Sequence, residues 1–569
     1  MDFVLALHSH LPYVLNHGRW PHGSDWLCEA ALDTYLPLLE QLEELAAEGT
    51  PAPLTIGFTP VLANQLSSPA FAREMTAFFA QRLAACDEAS TSLAAGGEAG
   101  AVPLVAFWKS RLVRLQALFR TIDTDLVSAF RRLQERGRLE IIGSAATHGY
   151  LPLLARDESI RLQLAVGREE HRRLFGATPV GCWLPECAYR PRGKWAPLGG
   201  RDGRVRRGIE EHVADAGFRY FFTDAHLAHA GTPLGAYSDA PLGAERFDAE
   251  RHDATPPHAG GKGAKPTRSP YHAYRVSGPS TRGPVATLVR DPRSSTQIWS
   301  RHHGYPGDEW YLEFHKIRWP GGLKLWRVSG PNVDLGAKRL YEPAAALERA
   351  RGHAAHFARL LEDIAVEQRA NGKGGGGDAV IVAPFDTELF GHWWFEGADF
   401  LAAGYRELRG RPQQRICAVT GSQHLSSHPP RTGLRLAAGS WGANGDNSMW
   451  LNERTEWTWR RLWGLEEAFW SVAPAALASS AARPVLAQAA RELLLAQSSD
   501  WQFIISTGAV VDYAERRFTL HCDDAERLIK ALAGDGTQLE TAGRIVDDLA
   551  RRDDLFPNVL ASVAEALAG

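Results

Sequence analysis

The chain has 569 residues and a formal net charge of −3, from 63 Lys and Arg against 66 Asp and Glu. That length exceeds one compact core, so two or more domains are expected. The charges balance without a basic stripe, which argues against a nucleic-acid partner, and no run of 18 consecutive apolar residues marks a membrane span.

The first element is "FVLAL" (3–7), which leads into His8 and His10. Residues two apart on a strand share a face. The N-terminal stretch has no positive n-region and too short an apolar core for a signal peptide. "LDTYLPLLEQLEELAAEG" then carries apolar residues at helical spacing and stops at Gly49. "LTIGF" (54–58) reads as a second strand. The segment 61–133 is longer than a barrel helix and reads as a helical insertion. "LEII" (139–142) leads into Thr147 and His148, and "VGCWL" (180–184) into Glu186. "YFF" (220–222) leads into Asp224 and His226, "VATLV" (285–289) into Arg290 and Asp291. "AVIVA" (379–383) leads into Asp386, Glu388, His392, Trp393 and Trp394.

Alternating strands and helices predict a parallel sheet. Seven strands over about 400 residues suit an α/β fold of the seven-stranded (β/α) barrel type, with helical insertions. In such a barrel the active site lies at the carboxyl ends of the strands. His, Glu, Asp and Arg gather after six of the seven apolar runs, which points to one site there. Two tracts read as mobile surface loops: 231–269, with its Gly/Pro/Lys-rich part at 253–269, and "NGKGGGGD" at 371–378. The barrel domain is thus 1–420. After Thr420 helical periods dominate, and a mostly α-helical C-terminal domain is placed at 421–569.

Three groups carry the chemistry. Glu186 follows a strand and a proline, with Trp183 and Tyr189 three residues to either side. Asp386 stands in a similar aromatic setting. Two such carboxyls fit glycoside chemistry, in which low polarity keeps one of them protonated near neutral pH. A capping or salt-bridged role is the plain alternative for Glu186. His8 and His10, with His148, His226 and Asp386, could hold a metal, but no third ligand is locked to them by spacing. That favours hydrogen-bond donors to a polar substrate. Of the 18 Trp, Trp459, Trp463 and Trp470 fall near one helical face and read as core. Trp441 lies in a Gly-Ser-Trp-Gly loop, where a core role is harder to justify. "SSDWQF" (498–503) leaves Asp500 and Trp501 exposed past a helix end, although Asp500 could simply cap the next turn. The six cysteines form no C-x-x-C pair and read as reduced thiols, which predicts a cytoplasmic protein.

The stretches "HSHLPYV", "ATHGYLPLL", "GCWLPECAYRP", "FTDAHL", "QIWSRHHGYPG", "APFDTELFGHWWFEG" and "SSDWQFIISTG" resemble glycoside hydrolase family 57, and within it the 1,4-α-glucan branching enzymes. The resemblance runs over essentially the whole chain. It implies a (β/α)7 barrel with an inserted helical region and a helical C-terminal domain. It implies Glu186 as nucleophile and Asp386 as general acid/base. His10 and His148 would line the donor sugar site. Arg290, Gly307, Trp441 and Asp500 would hold glucan. Trp299 and Trp501, inside the matching motifs, join the substrate-binding set. So does Tyr237, in the lid-like loop "GTPLGAYSD". No metal or other cofactor is implied. The substrate would be an α-1,4-glucan, as donor and acceptor of α-1,6 branches. A 4-α-glucanotransferase or α-amylase would use the same carboxyls. A metal-dependent hydrolase and a glycan-binding scaffold are the rivals from other classes.

Overall fold

In the computed structural model seven parallel strands are each buried nearly end to end. They are β1 (Asp2–Ser9), β2 (Leu54–Phe58), β3 (Leu139–Ser144), β4 (Gly181–Trp183), β5 (Tyr220–Thr223), β6 (Val285–Val289) and β7 (Val380–Asp386). The structure describes residues 1–198, 203–236, 268–278, 283, 285–299, 304–330, 332–370, 378–411 and 415–569, the backbone alone at 233–236. Strands covered on both faces need apolar residues at every position, which is why each reads as an unbroken apolar run. The order is β7-β1-β2-β3-β4-β5-β6, so chain neighbours are sheet neighbours. β7 and β1 run in register from Asp2 beside Val380 to His8 beside Asp386.

The barrel closes through one bridge, Arg290 to Val382, where Asp291 N–H donates to the Val382 carbonyl at 2.8 Å. Below that bridge the antiparallel strand Tyr274–Val276 pairs with β6, and Val380 N–H reaches back to the Tyr271 carbonyl. Strands Thr432–Arg435 and Thr232–Ala236 extend the sheet beyond it.

The expected insertion contains α1 (Pro69–Ala95), α2 (Val102–Thr121) and most of α3 (Leu126–Glu135), which returns the chain to β3. Trp108 of α2 donates its indole N–H to the Lys324 carbonyl at 2.6 Å. That ties the insertion to residues 304–341, a second excursion that periodicity alone does not reveal. α4 (Asp157–Phe175) follows β3, and α5 (Pro343–Ala370) precedes β7. Just past 420 the chain still serves the sheet, through α6 (Gly421–Ser427) and the strand Thr432–Arg435. The helices α7 (Glu456–Ala478), α8 (Arg483–Ala496), α9 (Asp500–Thr507), α10 (Val511–Ala533), α11 (Gly536–Arg552) and α12 (Val559–Ala568) come after it. They dock on the loop after β3. Trp463 donates to the Leu153 carbonyl, Trp470 to Ser159, and Glu466 accepts from Ala155 N–H. Trp459, Trp463 and Trp470 are buried, as their helical spacing predicts.

α4 lies so close to β3 that a Cβ on Gly167 would collide with the Ser144 carbonyl. Backbone at that range cannot yield as a flexible side chain would. Gly167→Ala is therefore expected to cost at least about 2 kcal/mol. A thermal unfolding midpoint unchanged from the parent would refute this reading of the helix–strand contact.

Candidate active site

Glu186 sits in a one-turn 3-10 segment, Pro185–Cys187, directly after β4. Its φ of +59° is left-handed, a conformation that costs a non-glycine residue free energy and persists only where the surroundings over-determine it. Those surroundings are visible. Trp441 N–H donates to the Glu186 carbonyl at 3.0 Å, and Tyr189 and Gly439 exchange backbone bonds at 2.8 and 3.0 Å. The Trp441 indole N–H then donates to Glu186 Oε2 at 2.8 Å. One loop thus fixes both the backbone and the carboxylate of Glu186.

Three imidazoles from two strand ends stack beside it. His10 and His148 ring centroids are 4.1 Å apart, and those of His8 and His148 are 4.8 Å apart. His8 lies flat on Trp183 at 4.7 Å. His8 Nε2 and His148 Nε2 share a proton at 2.9 Å, and His148 Nδ1 bonds to Ser499 Oγ at 3.0 Å. His148 Nδ1 is also 3.7 Å from Glu186 Oε1. His10 Nδ1 bonds to Thr59 and its Nε2 to Asp500 Oδ2 at 2.8 Å. Both nitrogens of His10 are therefore engaged with protein partners, an arrangement suited to orienting a ring. Asp500 opens α9, so the C-terminal helices reach into the strand-end site.

Asp386 ends β7 opposite this stack, and Glu388 lies two residues on. Glu388 Oε1 accepts from His10 N–H at 3.1 Å and from the Tyr35 hydroxyl at 2.5 Å. On the other flank Arg290 donates to Asp224 Oδ2 at 2.9 Å and to Ser295 Oγ at 2.8 Å. Its guanidinium lies over the Trp441 and Trp299 rings at 5.5 and 5.9 Å. Asp224 also holds His226, whose Nε2 donates to the Gly445 carbonyl at 2.8 Å. Asp224, Arg290, Ser295, Thr296 and Trp299 line an open recess.

The electrostatics follow from burial. Burial pushes Glu186 up to about 8; the Trp441 N–H bond opposes this, and the charges of Asp386 and Asp500 add to it. Burial pushes Asp386 up to about 7, with His10 and Arg290 pulling the other way. Glu388 is raised to about 8 by burial, against the Tyr35 bond. Burial, reinforced by the neighbouring imidazoles, holds His8 and His148 well below their usual range, so both are neutral. For Asp500 burial favours the acid, but His10 outweighs it and keeps the carboxyl low. The site can thus hold a proton between carboxyls in the neutral range and offer hydrogen bonds and aromatic faces to a polyhydroxylated substrate.

Most of the residues expected from sequence meet here: Glu186, Asp386, His10, His148, Arg290, Trp299, Trp441 and Asp500. Trp501 does not. It is fully buried, bonds to the Leu495 carbonyl at 2.9 Å and lies under Arg517. The expectation that it is exposed is corrected: it sits on the inner side of α9, where its large apolar ring fills the helical core. Gly307 lies in the turn Tyr305–Gly307, which is fixed through Tyr305 to His356 and His353 of α5 rather than to the carboxyls. Tyr237 and the 253–267 part of the insert lie outside the described residues, as do 371–377. Thr59, Tyr35, Glu388, Asp224 and Ser499 were not assigned from sequence. Glu388 had a signal, two residues past Asp386 in one polar loop. Thr59 and Ser499 had none, since a lone hydroxyl gains meaning only from its distant partner.

The sequence profile of glycosyl hydrolase family 57 matches residues 4–436. The chain belongs to that family. A second profile, the C-terminal region of 1,4-alpha-glucan branching enzymes, matches residues 465–563. A 1,4-alpha-glucan branching enzyme of Thermococcus kodakarensis is 37% identical over 559 residues, which span 98% of this chain and 77% of that one. The crystal structure of a family 57 branching enzyme from the same organism, in complex with glucose, superposes with a TM-score of 0.85 at 36% identity, covering 99% of this chain and 96% of the other. A more distant solved neighbour, an alpha-amylase of Thermotoga maritima, superposes with a TM-score of 0.76 at 27% identity, with 99% coverage of both chains.

Trp441→Phe keeps the ring and removes the N–H that favours ionised Glu186. A hydrogen bond to a charged group is worth about 1.5–3 kcal/mol. The pH of maximal activity should therefore move upward, because ionised Glu186 becomes scarcer at any given pH. An optimum left in place would show that the indole N–H does not tune Glu186.

Proposed function

We infer that this chain is a 1,4-alpha-glucan branching enzyme. The observation that carries the reading is the match to branching enzymes along nearly the whole chain, including their C-terminal region. The C-terminal helices supply Asp500 to His10, so the region resembling branching enzymes borders the carboxyl pair.

In this reading Glu186 attacks the anomeric carbon of an α-1,4-glucan and Asp386 gives its proton to the departing glycosidic oxygen. A glycosyl ester on Glu186 results, with inverted configuration. Asp386 then takes the proton of an acceptor 6-hydroxyl, whose oxygen displaces Glu186 and restores the α configuration. The competent form needs one proton, on Asp386. Both carboxyls are raised into the neutral range, so one proton can be held by the pair, and a hydrogen bond from Asp386 to the leaving oxygen favours its placement there. His10 and His148 would border the donor site, with their ring nitrogens held by Thr59, Asp500, His8 and Ser499 until a sugar hydroxyl displaces one of these partners. Trp441, Trp299 and Arg290 would form a wall for glucose rings. The covalent ester must be kept from water; the expectation of a mobile loop beginning at 231 is corrected, since Thr232–Ala236 is a strand paired with Thr432–Arg435, and Tyr237, which follows it in sequence, is the proposed lid residue. Glycogen is the proposed polymer. The six cysteines are free thiols, which supports the cytoplasm as the compartment. No described helix is long and apolar enough to cross a membrane.

Incubation with amylose, followed by debranching and chain-length analysis, tests the reaction. New α-1,6 branches are expected; reducing ends without branches would favour the amylase reading. Glu186→Gln should retain less than about 1% of activity in a folded protein, because the amide cannot act as nucleophile.

The pH dependence follows from the two raised carboxyls. Below about 7 both carry protons and the nucleophile is lost; above about 8 both are ionised and the acid is lost. The kcat/KM profile should peak near neutrality. An acidic limb near pH 4, the ordinary carboxylate value, would contradict the dry-site account.

A further inference from the structure

A second cluster sits at the other end of the sheet. Asp2 opens β1, while His424 lies in α6 and His428 just past its end. The two imidazole rings lie 5.4 Å apart, centroid to centroid. Asp2 Oδ2 is 2.8 Å from His424 Nδ1 and 3.8 Å from His428 Nε2. One possible ligand atom from each residue lies within 4.8 Å of the other two.

Zinc takes imidazole nitrogen and carboxylate oxygen at about 2.0–2.2 Å in a tetrahedron, which sets neighbouring ligand atoms about 3.2–3.6 Å apart. The separations here bracket that spacing, one shorter and one longer. His424 is buried and held by β1, whereas His428 is partly open to solvent, which gives an ion a path in. The short strand Cys417–Ala418 pairs in parallel with β1, with Cys417 opposite Asp2, and leads through Val419 into α6, so the backbone on both sides of the cluster is held by the sheet.

A second grouping, His17, His521 and Asp553, has similar spacing. There Arg517 contacts His521 at 3.2 Å and Arg552 pairs with Asp553 at 2.7 Å. Two fixed cations in contact with the ligands oppose a third. Among the described residues, the ion pairs of Asp2 run to His424 and His428 alone.

We propose that Asp2, His424 and His428 form a site for one divalent transition-metal ion of the zinc class, with water in the fourth position. The ion would replace the proton between Asp2 and His424 and fasten α6 to the start of β1. Six residues of strand separate Asp2 from His8, about 20 Å. The site is therefore a structural clip, remote from the carboxyl pair and independent of the reading of that pair.

The test uses the full chain without a histidine tag, equilibrated with zinc and dialysed. Elemental analysis should find about one bound equivalent. His428→Ala and Asp2→Asn should bind at least about 100-fold more weakly, since losing an outer partner of a ligand already costs about 10–100-fold. His315→Ala, at an exposed histidine on the second excursion, should bind as the parent does. Zinc should raise the unfolding midpoint of the parent, chelation should reverse it, and the two site variants should not respond. Amylose branching should persist in chelated protein. Absence of retained zinc in the parent, or equal binding by parent and both site variants, overturns the proposal and leaves a hydrogen-bonded cluster only. Should chelation remove activity while the variants bind normally, the ion lies elsewhere and the clip is likewise refuted.

Discussion

Two carboxyl groups set deep in the strand-end cleft, each only partly open to water, set the terms for the rest of this molecule. An ionised carboxylate in a dry site is unfavourable, and Glu186 and Asp386 answer this by rising into the neutral range. On the proposed reading that rise makes them useful, since one proton could then pass between substrate and protein near pH 7. It also requires walls. The strand ends supply the floor, the aromatic rings of Trp183, Trp299 and Trp441 the sides, and the helices after residue 456 a further side.

The walls come from distant parts of the chain, and polar links fasten them together. His10 joins β1 to the start of α9 through Asp500, and His148 joins the loop after β3 to Ser499. Arg290 joins the end of β6 to Asp224 at the end of β5. In each case one side chain both faces the site and holds two elements in place. Substitution at these positions would change chemistry and architecture together, so loss of activity in such a variant needs a measure of folding beside it.

The fold was legible because buried parallel strands must be apolar at every position, and all seven apolar runs are strands. Glu186 and Asp386 were legible because each ends such a run among aromatics. The partners that tune them were not. Asp500 pairs with a histidine 490 residues away, and Tyr35 with a carboxylate 353 residues away. No local period encodes such pairs. Trp501 was misplaced for the opposite reason: its position after a helix end suggested exposure, but a turn there sends its ring inward. The second excursion was missed because its isolated bridges, such as Leu312 to Arg327, carry no strand-length pattern.

The closure of the barrel is unequal along its seam. At the upper end β6 and β7 meet directly, through Arg290 and Val382. At the lower end the strand Tyr274–Val276 pairs with β6 on one edge and with Thr432–Arg435 on the other, and β7 is reached through the Tyr271 carbonyl. The seam is thus joined strand to strand at the carboxyl ends and patched by other segments at the amino ends. The residue at the joined end is also the one whose guanidinium lies over Trp441 and Trp299, so the contact that rounds the sheet seats that cation as well.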